Sequence, residues 1–297
     1  KVEGGLDFVG SQDSKIIVNN TYIQPAGDPD DPTYVMNLSH LKMTGGRIYL
    51  SSRERPLTQD FILKNSTFKQ TEIYGQYATG NIIITNNTLD NSAINCNYCG
   101  VNIETGDWWG KPGKGSITVS NNDFIGNGSY VRIEQNRFDT IKINNNTYTG
   151  SYGIQVKAHY SVSSYLGTYS WASNWIAPAT VEIKENTFKK DTYGIQVKAG
   201  IYDISGNNFI ESPGIKYEGG DGSNQKGLFS FKINNNYFIK QISVGSGIYA
   251  IQNVKASGDN LELKDNTFCS KDRVALRLST DKAARMEAGD NYWNTTN

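Results

Sequence analysis

Hydrophobic and polar residues alternate with a period of two along most of the chain, within one phrase that recurs. In Ile141-Lys142-Ile143-Asn144-Asn145-Asn146-Thr147-Tyr148, two apolar residues alternate with polar ones. An Asn, one further residue and an aromatic then close the phrase. Aligned on the closing residue, copies end at Tyr22, Phe68, Leu89, Phe124, Phe138, Phe188, Phe209, Phe238, Phe268 and Trp293. Two positions earlier stand Asn20, Asn87, Asn122, Asn136, Asn146, Asn186, Asn207, Asn236, Asn266 and Asn291, and only Ser66 breaks that column. A period of two predicts strands, where a helix would show i, i+3, i+4 spacing. Self-similarity at a period of about 20–50 residues predicts a solenoid or array. The uneven spacing between copies fits a coil whose turns swell into loops.

A second phrase lies between copies of the first. It reads Gly100-Val101-Asn102-Ile103-Glu104, Tyr130-Val131-Arg132-Ile133-Glu134 and Gly153-Ile154-Gln155-Val156-Lys157. The last recurs verbatim from Gly194 to Lys198, and Gly214 to Glu218, Gly247 to Ala250 and Val274 to Leu278 follow it. Most turns therefore carry at least two short strands separated by an Asn/Gly corner. Strands repeated in one direction stack as parallel sheets with like residues ~4.8 Å apart. The Asn column then becomes a ladder whose amides bond to each other or to corner backbone groups, because Asn caps local backbone and tolerates left-handed bends. The aromatics become an inward stack. Arg47-Ile48-Tyr49-Leu50 reads as one strand, and Asp28 to Pro32 as a turn cluster.

Composition narrows the picture. The 297 residues carry 29 Lys plus Arg against 29 Asp plus Glu, and this neutrality gives no electrostatic case for nucleic acid or an anionic membrane surface. No apolar run reaches the ~18 residues of a membrane span. Cys96 and Cys99 form a lone Cys-x-x-Cys with Cys269 far away, short of the second pair a zinc site needs. No metal and no cofactor is expected. The Asn-x-Ser/Thr sequons at Asn19, Asn65, Asn86 and Asn145 fall on the repeat itself and follow from the fold.

The Asn-x-Phe/Tyr corner, the Gly-Ile-x-Val strand and the closing Asp290-Asn291-Tyr292-Trp293 resemble the right-handed parallel β-helix proteins of the pectate-lyase-like class. The resemblance covers roughly residues 60–297. It implies an all-β fold, a right-handed single-stranded parallel β-helix (solenoid) of roughly ten coils. Residues 1–297 are then one β-helix domain, less regular over 1–60, with loop insertions near 105–116, 158–179 and 218–228. The class contains secreted polysaccharide lyases, glycosidases and bacteriophage tailspikes. The resemblance thus implies an extracellular, secreted or virion-surface protein with a polysaccharide partner, and a homotrimer if it follows the tailspikes. It implies neither nucleic acid nor membrane insertion. The chain lacks the Asp cluster of pectate-lyase calcium sites and the paired-Asp motifs of polygalacturonases, so no family catalytic residue carries over.

Candidate chemistry falls on the second phrase and the loops leaving it. Loops on a rigid scaffold carry function. The first loop holds Asp107, Trp108 and Trp109; the second holds His159, Tyr165, Tyr169, Trp171 and Trp175; the third runs from Gly219 to Gly227. Four of the five tryptophans lie in the first two. Flat apolar rings with a polar edge suit the C–H face of a sugar, and equally suit packing a loop onto its coil. Alternation turns Val101, Ile103, Ile154, Val156, Ile195 and Val197 inward. It turns Glu104, Arg132, Glu134, Gln155, Lys157, Gln196, Lys198, Lys216, Glu218 and Arg277 outward. Glu104 and Glu134 on neighbouring turns would place carboxyls ~5 Å apart, near the ~5–5.5 Å of a retaining glycosidase pair. Asp107 and Asp221 are alternative partners and Glu218 a further acidic candidate, and Lys157, Lys198 or Arg132 would serve a lyase, with His159 as a second base candidate. The structural alternative is a charged ladder in which Glu134 pairs with Lys157. The expected function is a glycan-active protein that binds and depolymerises a bacterial or cell-surface polysaccharide, as a glycosidase ahead of a lyase. The alternative is a non-catalytic adhesin or phage receptor-binding protein. Trp108, Trp109, Arg132, Gln155, His159, Tyr169, Trp171, Trp175, Gln196 and Lys198 are the expected substrate contacts.

Overall fold

A computed structural model of the chain describes residues 6–23, 36–51, 60–76, 80–91, 100–104, 115–134, 140–157, 180–190, 193–198, 200–218, 230–240, 249–254, 260–269, 274–277 and 285–293. These residues form thirty strands and no helix. The architecture is a right-handed parallel β-helix. Eleven strands, from Leu6–Val9 to Arg285–Gly289, stack in one sheet, here sheet 1. The others form a continuous set that parts into two stacks after the long strand Leu41–Ser51. That strand pairs through its first half with Thr67–Lys69 and through its second half with Glu72–Gln76. The stack continuing from Glu72–Gln76 through Val101–Glu104, Tyr130–Glu134, Gly153–Lys157, Ile195–Lys198 and Ile215–Glu218 is sheet 2. The stack running from Thr67–Lys69 to Tyr292–Trp293 is sheet 3.

The core follows the alternation. Ile141 and Ile143 of sheet 1, Ile154 of sheet 2 and Tyr148 of sheet 3 are fully buried. On sheet 3 the closing aromatics stack nearly coplanar. Phe124–Tyr148, Tyr148–Phe188, Phe188–Phe209 and Phe209–Phe238 have centroids 4.8 to 4.9 Å apart, about one strand spacing. Each such pair adds roughly 0.5–1.5 kcal/mol beyond its area burial. The column ends with Trp293 stacked on Phe268 at 4.5 Å.

The Asn ladder runs beside this stack. The backbone N–H and the side-chain Nδ2 of Asn146 both donate to Oδ1 of Asn186, at 2.9 and 3.0 Å, and Nδ2 also donates to the Val119 carbonyl at 2.9 Å. The same three bonds recur at Asn87, Asn122, Asn186, Asn207, Asn236 and Asn266. Both expected partner types, amide and corner backbone, are used at once. Ser66 ends the ladder. Its N–H donates to Asn87 Oδ1, and its hydroxyl accepts from the Leu41 N–H and donates to the Lys64 carbonyl. The left-handed residue at this corner is the one before the ladder Asn, as at Asn86, Asn121, Asn145 and Asn235 with φ of 55 to 57°.

Three sequence alignments are corrected. The copy assigned to Ile16 through Tyr22 is out of register, because Val18 pairs with Met43 and Met43 with Phe68. Val18 therefore holds the aromatic position, Asn20 (φ 48°) sits at the second left-handed corner with Gly45 and Gln70, and Tyr22 is 67% exposed. The copy assigned to Val131 through Phe138 is not a first phrase either. Val131 pairs with Val101 and Ile154, which places it on sheet 2, while Asn136 and Phe138 lie outside the described residues. In the copy assigned to Gly247 through Ala250, it is Ile251, three residues after Ile248, that pairs with Ile215.

Candidate functional site

Sheets 1 and 2 present different outer faces. On sheet 1 several outward charges pair within a strand and across coils. Lys184 bonds Asp203 at 2.7 Å and Glu182 at 3.5 Å, Lys142 reaches Glu182 at 3.9 Å, and Glu262 lies 3.7 Å from Lys264 and accepts from Asn234 at 2.9 Å. The hydrogen bond to Asp203, aided by the charges of Asp203 and Glu182 and opposed by partial burial, raises the Lys184 pKa. These ion pairs tie neighbouring coils of sheet 1 together.

The outward face of sheet 2 is organised in two columns. One runs Tyr49, Tyr74, Asn102, Arg132, Gln155, Gln196, Lys216, Gln252 and Arg277, each the Cα partner of the next. It holds aromatics, amides and cations, with no carboxylate on any rung. At ~4.8 Å per rung it extends for nearly 40 Å along the coil axis. Arg132, Gln155, Gln196 and Lys216 are half-buried, while the alternating Ile154, Val156, Ile195 and Val197 are buried, as the alternation requires.

The second column lies two residues further along each strand. Gln76 pairs with Glu104, Glu104 with Glu134, Lys157 with Lys198, and Lys198 with Glu218. The two expected acids, Glu104 and Glu134, thus occupy adjacent rungs of one column. Gln76, Asn102, Glu104, Glu134, Lys157, Glu218, Gln252 and Arg277 are described through their backbones. Asp107, Trp108, Trp109, His159, Tyr169, Trp171 and Trp175 lie outside the described residues, as do Cys96, Cys99 and most of the three loops. No protein-family model, curated protein or solved structure matches the chain.

At the upstream edge of the Gln155 and Gln196 rungs, two tyrosines stack. Tyr152 and Tyr193 have ring centroids 5.3 Å apart and planes 23° apart, and both are half-buried. The backbone brings them together. Gly153 has φ of 72°, and a Cβ there would lie 2.1 Å from the Gly194 carbonyl oxygen, so only glycine lets the coils approach at this corner. The pair was legible in the sequence, since the verbatim repeat begins one residue earlier than Gly153 and Gly194, at Tyr152 and Tyr193.

Toward the first coils the column ends in a cluster that the sequence reading did not single out. Arg47 lies over the Tyr49 and Tyr74 rings, with its guanidinium carbon 5.2 and 5.4 Å from their centroids. It donates to the Tyr49 hydroxyl at 2.9 Å and pairs with Glu72 at 2.5 Å. Partial burial works against the Arg47 charge, but the Tyr49 hydroxyl and the Glu72 carboxylate outweigh it and the pKa is raised. Among the described residues no group of three His, Cys, Asp or Glu is placed to hold a metal ion. No helix there is long and apolar enough to cross a membrane.

Proposed function

We propose that this chain is an extracellular or virion-associated glycan-active protein of the pectate-lyase-like kind. In this reading it binds a bacterial or cell-surface polysaccharide along the outward face of sheet 2 and depolymerises it by hydrolysis. The observation that carries the proposal is the pairing of Glu104 with Glu134 beside a carboxylate-free column of amides and cations. Adjacent rungs ~4.8 Å apart suit two carboxyl groups at the ~5–5.5 Å spacing of a retaining glycosidase. In a retaining pair of this kind one carboxyl acts as the general acid. The other attacks the anomeric carbon as nucleophile, and water completes the cycle with the first acting as base. Gln155 and Gln196 supply amide donors and acceptors to sugar hydroxyls, and Arg132 and Lys198 supply cationic donors. Tyr152 and Tyr193 offer ring faces at the groove edge. Asp107, Glu218 and Lys157 remain in the reading as the acidic and basic groups nearest this pair in sequence or register.

Incubation with a panel of capsular and O-antigen polysaccharides tests the proposal. New reducing ends without absorbance from an unsaturated uronate support hydrolysis. Such absorbance would instead mean β-elimination, with Lys157 or Arg132 neutralising a uronate. Binding without any change in polymer size would make the chain a receptor-binding protein and would remove the enzyme.

A further inference from the structure

The Arg47 cluster is built differently from the rest of the face. Leu41–Ser51 passes from sheet 3 to sheet 2 as one strand because Gly46 takes a φ of 86°. A Cβ on Gly46 would lie 2.1 Å from the Thr21 carbonyl oxygen, so glycine alone permits this bend against the previous coil. The bend sets Arg47 beside Tyr22, its Cα partner, and beside Glu72 on the following coil. Tyr22 and Tyr49 lie 6.0 Å apart with planes tilted 31°, and Tyr49 and Tyr74 lie 6.0 Å apart edge to face. The three rings form a staircase, and Tyr22 remains 67% exposed.

Glu72 is the informative partner, being only 4% exposed. Burying a carboxylate is costly and is a poor way to stabilise a coil. Here it fixes a half-exposed guanidinium in one orientation against two tyrosine rings. A donor held rigid before a ligand arrives is preorganised for binding. The same pairing cancels the Arg47 charge. The cluster therefore offers flat apolar faces and directed donors with little net charge.

We propose that Tyr22, Tyr49, Tyr74 and Arg47 form a separate carbohydrate subsite at the head of the sheet 2 column, one that takes an uncharged sugar ring. The subsite rests on the glycan reading of sheet 2 and specifies what its first coils accept. A ring packs its C–H face on the exposed Tyr22, Tyr74 walls the far edge of the subsite, and the ring's hydroxyls accept from Arg47 and exchange hydrogen bonds with Tyr49.

The test uses the full chain on immobilised neutral glycans (dextran, mannan, xylan) and anionic ones (hyaluronate, alginate, polygalacturonate), together with the capsular and O-antigen panel. The wild type is expected to capture at least one neutral glycan or one containing neutral residues. Tyr22→Ala and Tyr74→Ala should each weaken that capture about tenfold or more, with an unchanged melting temperature. Tyr22→Phe, which keeps the ring, should bind like the wild type. Glu72→Gln leaves the guanidinium uncompensated and should shift preference toward the anionic glycans. If the wild type binds none of these glycans, the glycan reading falls and the subsite with it. If the wild type binds and both alanine variants bind equally well, the subsite alone is overturned. Unchanged selectivity in a folded Glu72→Gln variant would overturn its uncharged character.

Discussion

Oδ1 of Asn186 accepts two hydrogen bonds from Asn146, one from its backbone N–H at 2.9 Å and one from its Nδ2 at 3.0 Å. Both residues are essentially fully buried. A single atom therefore satisfies two donors of the neighbouring coil, while Asn186 Nδ2 in turn satisfies the Ile143 carbonyl at 2.7 Å. Asn186→Ala would leave two donors and one acceptor without this partner in a fully buried site. At ~1–3 kcal/mol per orphaned group, the loss should be at least about 3 kcal/mol. Ser66→Ala, at the end of the ladder, should cost less, because its hydroxyl serves only the Leu41 N–H and the Lys64 carbonyl. Denaturant unfolding of the two variants checks the order.

The corner beside the ladder gives an opposite-sign pair. Glu185 holds a φ of 57° where Asn145 and Asn235 occupy the equivalent bend, and Gly206 holds 68°. The left-handed region strains a residue with a Cβ, and Asn relieves part of that strain by bonding locally. Glu185→Asn should stabilise by about 0.5–1 kcal/mol. Gly206→Ala should destabilise by a similar or larger amount. Thermal melts at one pH compare them.

The sheet 1 charge ladder predicts an alkaline effect. The Lys184 pKa is raised above its ordinary 10.5, first by the hydrogen bond to Asp203, against burial, and then by the charges of Asp203 and Glu182. A folded pKa above the unfolded one contributes stability that is complete below 10.5 and is lost as pH rises through the folded value. The difference in melting temperature between wild type and Lys184→Gln should thus be constant through neutral pH and shrink above 10.5. A constant difference at strongly alkaline pH would contradict the role given to this ion pair.

The repeated Asn and aromatic positions made most of the scaffold legible, because in a parallel stack each coil repeats its neighbour's contacts. The first coil misled for a physical reason. Asn20 and Tyr22 reproduce the spacing of the corner phrase, yet in Ile16–Ile23 Asn20 is the bend by which one strand passes from sheet 3 into sheet 2. Only its pairing with Leu41–Ser51 reveals that Tyr22 faces outward. The Glu104–Glu134 rung could be read from two copies of one phrase. The Arg47 cluster could not, since Tyr22, Arg47 and Glu72 belong to no shared phrase and meet only through coil stacking.

Glu104→Gln and Glu134→Gln, each assayed for reducing-end release from a polysaccharide that the wild type cleaves, test the functional account most directly. Both outward substitutions should abolish cleavage while the melting temperature stays at the wild-type value. Full cleavage by both variants would contradict the assignment of catalysis to this rung of sheet 2.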